Sequence, residues 1–418
     1  MILSNGWHTK QVDYTNAFAQ AEIQEEIYIE APRGFGGADR LPKVLKLLKS
    51  LYGLKQAPKT FFDKLKAGLL ERNFIQSEID KCLFMKGDLV CLVYVDDTIL
   101  AGPNLEAINK EIQSLGVSTE DQVHSFQLRD EGQVGDFLGI RIEKLGERKF
   151  NLTQTGLINK VLKTAQMESC NPVATPTQTV PLGTDKDGDK FDEEWEYATV
   201  VGMLMYLAQN SRPDIAYVVH QCARFTHLPK KFHAIGIKRT LRYLKGTQYL
   251  TLTFGQRHFD DTSPLICMVD ANYVGDRDSC YSTTGYVYWF YGSPILTCSC
   301  KQTAVSTSTT EAELIAASMA TKTGAYLRRL LEHDFGFNGL SEANGSVPII
   351  LPDTISQGQK NGHPIKNSKL LPTPIGEDNQ GTIAVSQGGG KHRKLRHIRV
   401  ADSYIYQGIQ QGKFTMHY

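Results

Sequence analysis

Hydrophobic and polar positions follow three successive patterns along the chain. Residues 1 to about 145 mix amphipathic helical stretches with short β-type runs, and residues 146 to about 258 keep mostly helical spacing. From Pro264 onward the pattern is β-rich. In the first zone, Leu89–Val95 and Thr98–Ala101 are β-prone runs separated by Asp96 and Asp97, a spacing that predicts a hairpin with a two-residue turn and adjacent carboxylates at its tip. In the last zone, Pro264–Asp270 is an apolar run ending in an acid. Gly285–Tyr291 and Ile295–Cys300 read as two further strands, joined by a turn at Gly292–Pro294.

A helix is expected from about Thr310 to His333, with Ser308 or Thr309 as its cap. At ~100° per residue, Ala316, Ala320, Leu327 and Leu331 share one stripe. Glu313 falls inside that stripe, whereas Glu311 falls on the opposite side, facing water as an N-terminal charge that complements the dipole. A carboxylate in an apolar stripe needs a hydrogen bond or a metal, because burying it alone is costly.

Two stretches break the periodicity. Gly183–Glu194 is polar and charged; it loosely resembles a calcium loop, but the Glu is misplaced for bidentate coordination and a solvated surface loop is expected. Gly339–Gly376 is rich in Gly, Pro, Ser and Asn, and is too long for a structureless loop inside a compact domain. It reads as an insertion, a disordered excursion or a sequence defect. No internal repeat or heptad run is visible.

Composition adds bounds. A chain of 418 residues exceeds one hydrophobic core, so two or three domains are expected. The 41% hydrophobic and 22% charged fractions are those of a globular protein rather than a disordered one. Lys+Arg of 46 against Asp+Glu of 45 gives no basic excess, so any nucleic-acid partner must be argued from individual sites. No signal peptide follows the start, and the apolar run Leu89–Val95 is far below the roughly 20 residues that span a bilayer. Cys298 and Cys300 form a C-x-C without a second pair at zinc spacing, so buried reduced thiols and an intracellular location are expected.

The acids carry the chemistry. Gln11-Val-Asp13, followed by Ala17-Phe18, offers a carboxylate at the end of a short strand. One acid from a strand end and two from a hairpin tip could bracket a pair of Mg²⁺ ions about 3.5–4 Å apart, the arrangement used in phosphoryl transfer. An Asp-Asp turn also occurs without any function, and the sequence alone does not bring Asp13 to Asp96.

Tyr94-Val95-Asp96-Asp97 resembles the metal-binding box of reverse transcriptases. Gln11–Phe18 resembles the strand carrying their first acid, Ser50–Pro58 the segment beside the incoming nucleotide, and Phe137–Ile140 the primer-grip hairpin. Tyr197–Phe225 and Leu241–Thr247 are similar to segments of the copia-type family of LTR retrotransposons in particular, and the similarity runs over nearly the whole chain. The resemblance implies Asp13 and Asp96 as principal metal ligands with Asp97 in support. It implies Phe18 as a steric gate against a ribose 2′-hydroxyl, Gln56 beside nucleotide and template base, and Lys55 as a possible phosphate contact. Phe18 as a core aromatic and Lys55 as an exposed helix lysine are the alternatives.

Further on, the order of strand-Asp, meander, helix-Glu and Asp at a helix start resembles ribonuclease H. It implies Asp270, Glu313 and Asp378 as ligands of two Mg²⁺ ions acting on the RNA strand of a hybrid. By itself Asp378 reads as the N-cap of a short helix over Thr382–Ser386. The basic run Lys391–His397 with Arg399 is either a solvated helix start or a phosphate contact.

The architecture thus implied is mixed α/β and α+β. It comprises a reverse-transcriptase palm (1–145), a helical thumb or connection (146–258) and a ribonuclease H-like domain (259–418) with an irregular insertion at 339–376. The implied partners are RNA template, DNA primer, RNA–DNA hybrid and dNTP, with Mn²⁺ able to replace Mg²⁺. The implied location is a cytoplasmic virus-like particle and later the nucleus. Against the family pattern, a fingers region before Asp13 is lacking, and no fourth nuclease ligand is evident: His397-Ile-Arg399 stands where His-Ile-Asp is common, and Asp402 has a different helical phase. These departures lead to the expectation of a chain truncated at both ends with weak nucleotide addition. An inactive remnant that only binds nucleic acid is the alternative.

Overall fold

The computed structural model describes residues 6–32, 44–146, 149–178, 181–255, 263–276, 278–336, 338–339, 369–388 and 399–418. The chain divides into two compact units, Met1–Leu138 and Gly139–Tyr418.

In the first unit, β1 (His8–Tyr14) lies in a six-stranded sheet with β2 (Ile75–Gln76), β3 (Leu83–Lys86), β4 (Leu89–Tyr94), β5 (Asp97–Gly102) and β6 (Leu128–Gly132), ordered β2-β3-β4-β5-β1-β6. All neighbours are antiparallel. Strand alternation does the sorting. Val12, Tyr14, Cys91, Val93 and Leu100 point into a core shared with Phe61, Leu65 and Leu69 of α1 (Ala57–Glu71) and Ile108, Ile112 and Leu115 of α2 (Leu105–Leu115). Asp13 and Asp97 therefore lie on the uncovered face.

The Asn104 side chain caps α2 by accepting from the Glu106 and Ala107 N–H groups. The buried Arg72 guanidinium donates to the carbonyls of Gly68, Ser114 and Val117, satisfying helix-end acceptors that would otherwise lack partners. Gly68 is required by close approach, since a Cβ there would stand 2.7 Å from the Phe126 ring.

The second unit opens on an antiparallel sheet of β7 (Ile140–Gly146), β8 (Lys149–Thr153) and β9 (Leu252–Gly255). Between β8 and β9 run α3 (Thr155–Thr164), α4 (Tyr197–Asn210), α5 (Ala216–Ala223) and α6 (Lys231–Gly246). They pack Ile158, Val161, Leu204, Val219, Ile237 and Leu241 into one core. The zone read as mostly helical thus contains two strands that its periodicity did not reveal. Gly183–Glu194 is a loop with mostly exposed or half-buried side chains, as expected.

A five-stranded sheet follows: β10 (Leu265–Asn272), β11 (Thr283–Phe290) and β12 (Ser293–Lys301) as an antiparallel meander, then β13 (Thr373–Gly376) parallel to β10 and β14 (Phe414–His417) parallel to β13. All four residues of β13 are buried, which corrects the reading of 339–376 as irregular throughout. Four residues in the middle of a sheet give too short a run for periodicity to register. Residues 340–368 and the basic run 391–397 lie outside the described residues.

Helix α7 (Thr309–Asp334) covers this sheet, with the Tyr288 hydroxyl donating to the Ala320 carbonyl; α8 (Gln380–Gly388) and α9 (Arg399–Gln410) complete the layer. Among the described residues no helix is long and apolar enough to cross a membrane.

The helical layer and the sheet are joined by a charged clamp. Arg224, which ends α5, and Lys301 on β12 both bind the buried Asp276 carboxylate, at 2.7 and 2.5 Å. These two cations and the Ser279 hydroxyl hold the Asp276 carboxyl well below the usual carboxylate range against the opposing effect of burial.

Candidate active sites

Among the described residues, each unit brings together carboxylates that the sequence singled out. In the first, Asp13 on β1 and Asp97 on β5 are direct partners across the antiparallel ladder, and direct partners present their side chains to the same face. Tyr94 pairs with Asp97, so the hairpin turn is Val95–Asp96 rather than Asp96–Asp97. This moves the turn one residue from the expected position and makes Asp97 the first residue of β5. Val95 takes a left-handed φ of 57°, a conformation that costs a β-branched residue strain and is not forecast by its β propensity.

Burial, reinforced by Asp96, Asp13 and Glu131, raises the Asp97 carboxyl above its ordinary range. Among the described residues, however, the three acids do not reach the mutual closeness of the second group.

Phe18 is buried, touching Phe61 on the core side and Tyr52 on the other, with ring centroids 4.4 Å apart in the latter pair. Both weighed readings, core aromatic and wall of the site, are therefore compatible with its position. Gln56 is half-buried at the start of α1, where its carbonyl accepts from Thr60, and Lys55 is exposed. Tyr52 escaped the sequence reading. Burial, Asp96 and Asp13 raise its hydroxyl above the ordinary phenol range, which places it in the field of the acids. An aromatic next to Gly53 (φ 97°) in the loop before α1 is the signal that could have found it.

In the second unit, β10 and β13 run parallel with Met268 opposite Gly376. Asp270, within β10, and Asp378, just past β13, each lie two residues beyond that pair, so the parallel register brings them side by side. Glu313, in the second turn of α7, comes in over the sheet. One carboxylate oxygen from each of Asp270, Glu313 and Asp378 lies within 4.8 Å of the others. Glu313 is 7% exposed, and its Oε2 has no hydrogen-bond partner. Burial, then the charges of Glu377, Asp270 and Asp378, push its carboxyl up to about 8, with the Ala271 N–H pulling the other way.

Three expectations need correction here. Glu311 does not face water: it is 5% exposed, and its carboxylate accepts from the Thr307 N–H and hydroxyl while Ser308 caps the helix. The loop before α7 folds back over that side of the helix, a local contact to Thr307 that a helical wheel cannot register. Asp378 is not the cap of α8; Asn379 is, accepting from the Thr382 N–H. Cys298 and Cys300 share a face with sulfurs 3.7 Å apart, but they are half-buried rather than buried.

One acid was missed. Glu377 is 2% exposed, its Oε1 accepts from the Asn379 N–H, and its Oε2 has no partner. Burial, with Asp378 and Asp270 beyond it, pushes its carboxyl up to about 7. With Asp270 and Asp378 it lines a cavity of about 640 Å³. The Glu-Asp pair directly after the short run Pro374-Ile-Gly376 was its available signal.

Residues 1–179 match the family model described as reverse transcriptase (RNA-dependent DNA polymerase). A retrovirus-related Pol polyprotein from transposon RE1 of Arabidopsis thaliana is 34% identical over 317 residues, which cover 75% of this chain and 21% of that protein. The corresponding polyprotein from transposon TNT 1-94 of Nicotiana tabacum is 34% identical over 77% of this chain and 24% of its own length. A putative transposon Ty5-1 protein of Saccharomyces cerevisiae is 28% identical over 73% of this chain and 98% of its own. The chain thus spans about a fifth to a quarter of the length of the two plant polyproteins.

Proposed function

Because residues 1–179 belong to the reverse transcriptase family and most of the chain is related to the Pol polyproteins of copia-type retrotransposons, we propose that it carries two phosphoryl-transfer sites. The first extends a DNA primer with dNTPs on an RNA template; the second hydrolyses the RNA strand of an RNA–DNA hybrid. In this reading the six-stranded sheet with α1 and α2 is a palm. The helices α3–α6 form a thumb or connection, and the five-stranded sheet with α7 is a ribonuclease H-like domain.

The observation that carries the nuclease half is the convergence of Asp270, Glu313 and Asp378 to within 4.8 Å, with a buried Glu313 oxygen left unpartnered. A buried carboxylate oxygen without a donor is the arrangement a hard cation resolves, so the residues fit a divalent ion, Mg²⁺ or in its place Mn²⁺. When bound, a pair of such ions supplies neutralising charge at the attacking and leaving oxygens. In this reading Asp270 and Asp378 would face the scissile phosphate, and Glu313 would anchor the group from the helix that covers the sheet. At the first site, Asp13, Asp96 and Asp97 would hold the corresponding ions. Phe18 and Tyr52 would wall the sugar, with Gln56 beside the base and Lys55 toward phosphate.

The test uses the whole chain with Mg²⁺, measuring primer extension on an RNA template and cleavage of a hybrid side by side. Asp13→Asn with Asp96→Asn should remove extension alone, and Asp270→Asn should remove cleavage alone. Retained hybrid binding with neither activity in the unsubstituted chain would instead establish the inactive-remnant reading.

A further inference from the structure

We propose that Glu377 is a fourth acid of the second site, with Oε2 helping to hold the divalent cation that Asp270, Glu313 and Asp378 bind. This rests on the hydrolytic reading of that cluster. The argument begins with an imbalance. Glu377 is 2% exposed, yet only Oε1 has a partner, the Asn379 N–H, while Oε2 is buried and accepts from nothing. Leaving a carboxylate oxygen in that state costs free energy unless a cation or donor is supplied from outside the chain.

The surroundings say which. Glu377 lines the same cavity as Asp270 and Asp378, and it is the foremost of the charges acting on Glu313. Glu377 stands outside the set of oxygens that converge to within 4.8 Å, but a carboxylate in the field of those three acids repels any anion and gains from a cation. A purely structural role accounts only for Oε1. The backbone fixes the direction, because the Glu377 N–H donates to the His417 carbonyl at the end of β14 and so prolongs the β13–β14 pairing by one residue.

Glu377→Gln separates the two roles, since the amide oxygen can still accept from Asn379 while the charge is gone. In the full chain carrying Asp13→Asn and Asp96→Asn, Mn²⁺ binding is followed by the electron paramagnetic resonance of free Mn²⁺. Asp270→Asn should abolish the site, and Glu377→Gln should weaken it by about tenfold or more, the scale of losing a supporting group around a metal. Asn379→Ala, which removes the local cap but keeps the Glu377 charge, should stay within about twofold of the parent.

Binding unaltered by Glu377→Gln, or weakened equally by Asn379→Ala, would overturn the inference while leaving the hydrolytic reading in place. Unaltered binding in Asp270→Asn would remove that reading and the inference with it. Melting curves establish folding. If Glu377→Gln does not fold, Glu377→Asp, one methylene shorter, takes its place, and parent-like affinity there would be the overturning result.

Discussion

Asp13 and Asp97 face each other directly across β1 and β5, two like charges in register on neighbouring strands, with Arg129 opposite Asp13 on its other side. Like charges in that position destabilise a sheet by up to about 1 kcal/mol. Asp97→Asn is therefore expected to stabilise the metal-free protein by a few tenths of a kcal/mol, while Asp13→Asn lowers Mg²⁺-dependent primer extension by at least ~100-fold. Denaturant melts in EDTA and a primer-extension assay check the two signs; a destabilised Asp97→Asn would show that the pair is not strained.

Glu313 gives a pH dependence. Its carboxyl stands at about 8 in the fold against 4.5 unperturbed, so between about pH 5 and 8 the folded protein keeps a proton that the unfolded chain releases. No penalty exists below the unfolded value, and the full penalty is present above the folded one. Metal-free stability should fall as pH rises through that window. Glu313→Gln should flatten the fall, and Mg²⁺ should counter it at pH 8. Melts at pH 5.5 and 8 with equal slopes for parent and variant would contradict this.

Glu311 and Glu313 should part company under substitution. Glu311→Ala removes the contacts to Thr307 and should cost about 1 kcal/mol, with hybrid cleavage kept within a few-fold. Glu313→Ala should abolish cleavage. Loss of cleavage in a well-folded Glu311→Ala protein would mean that the helix presents its other face to the substrate.

Asp276→Asn leaves Arg224 and Lys301 without their shared counter-charge. The expected loss is about 3 kcal/mol, at the low end for breaking a buried ion pair because both cations retain some water. Chemical denaturation measures it. A change below ~1 kcal/mol would show that the clamp is already solvated.

What could be read from the sequence follows from the range of each signal. The strands bearing Asp13 and Asp270 were visible because alternation is local, although β10 runs on to Asn272 past the acid read as its tip, and the burial of Glu313 was visible because helical phase is local too. The turn at Val95–Asp96 was misplaced because a left-handed valine defies propensity. Glu311 was misread because burial at a helix start depends on the preceding loop. Strand β13 and Glu377 were hidden because their environment comes from β10 and β14, far away in sequence.

That last separation bears on assembly. Met268 pairs with Gly376, 108 residues later, and Thr373 in turn needs Phe414 beside it. During synthesis at roughly 5–20 residues per second, β10–β12 and α7 wait several seconds for their remaining partners. Over that interval the β10 edge later covered by β13 is an unpaired ladder of apolar residues, the kind of surface that seeks strands on other chains. The ladders of the first unit close within Met1–Leu138, so it can order early. Premature release from the ribosome should therefore leave soluble first units attached to aggregating second ones, and a chaperone that shields strand edges would raise the yield of the second site more than that of the first.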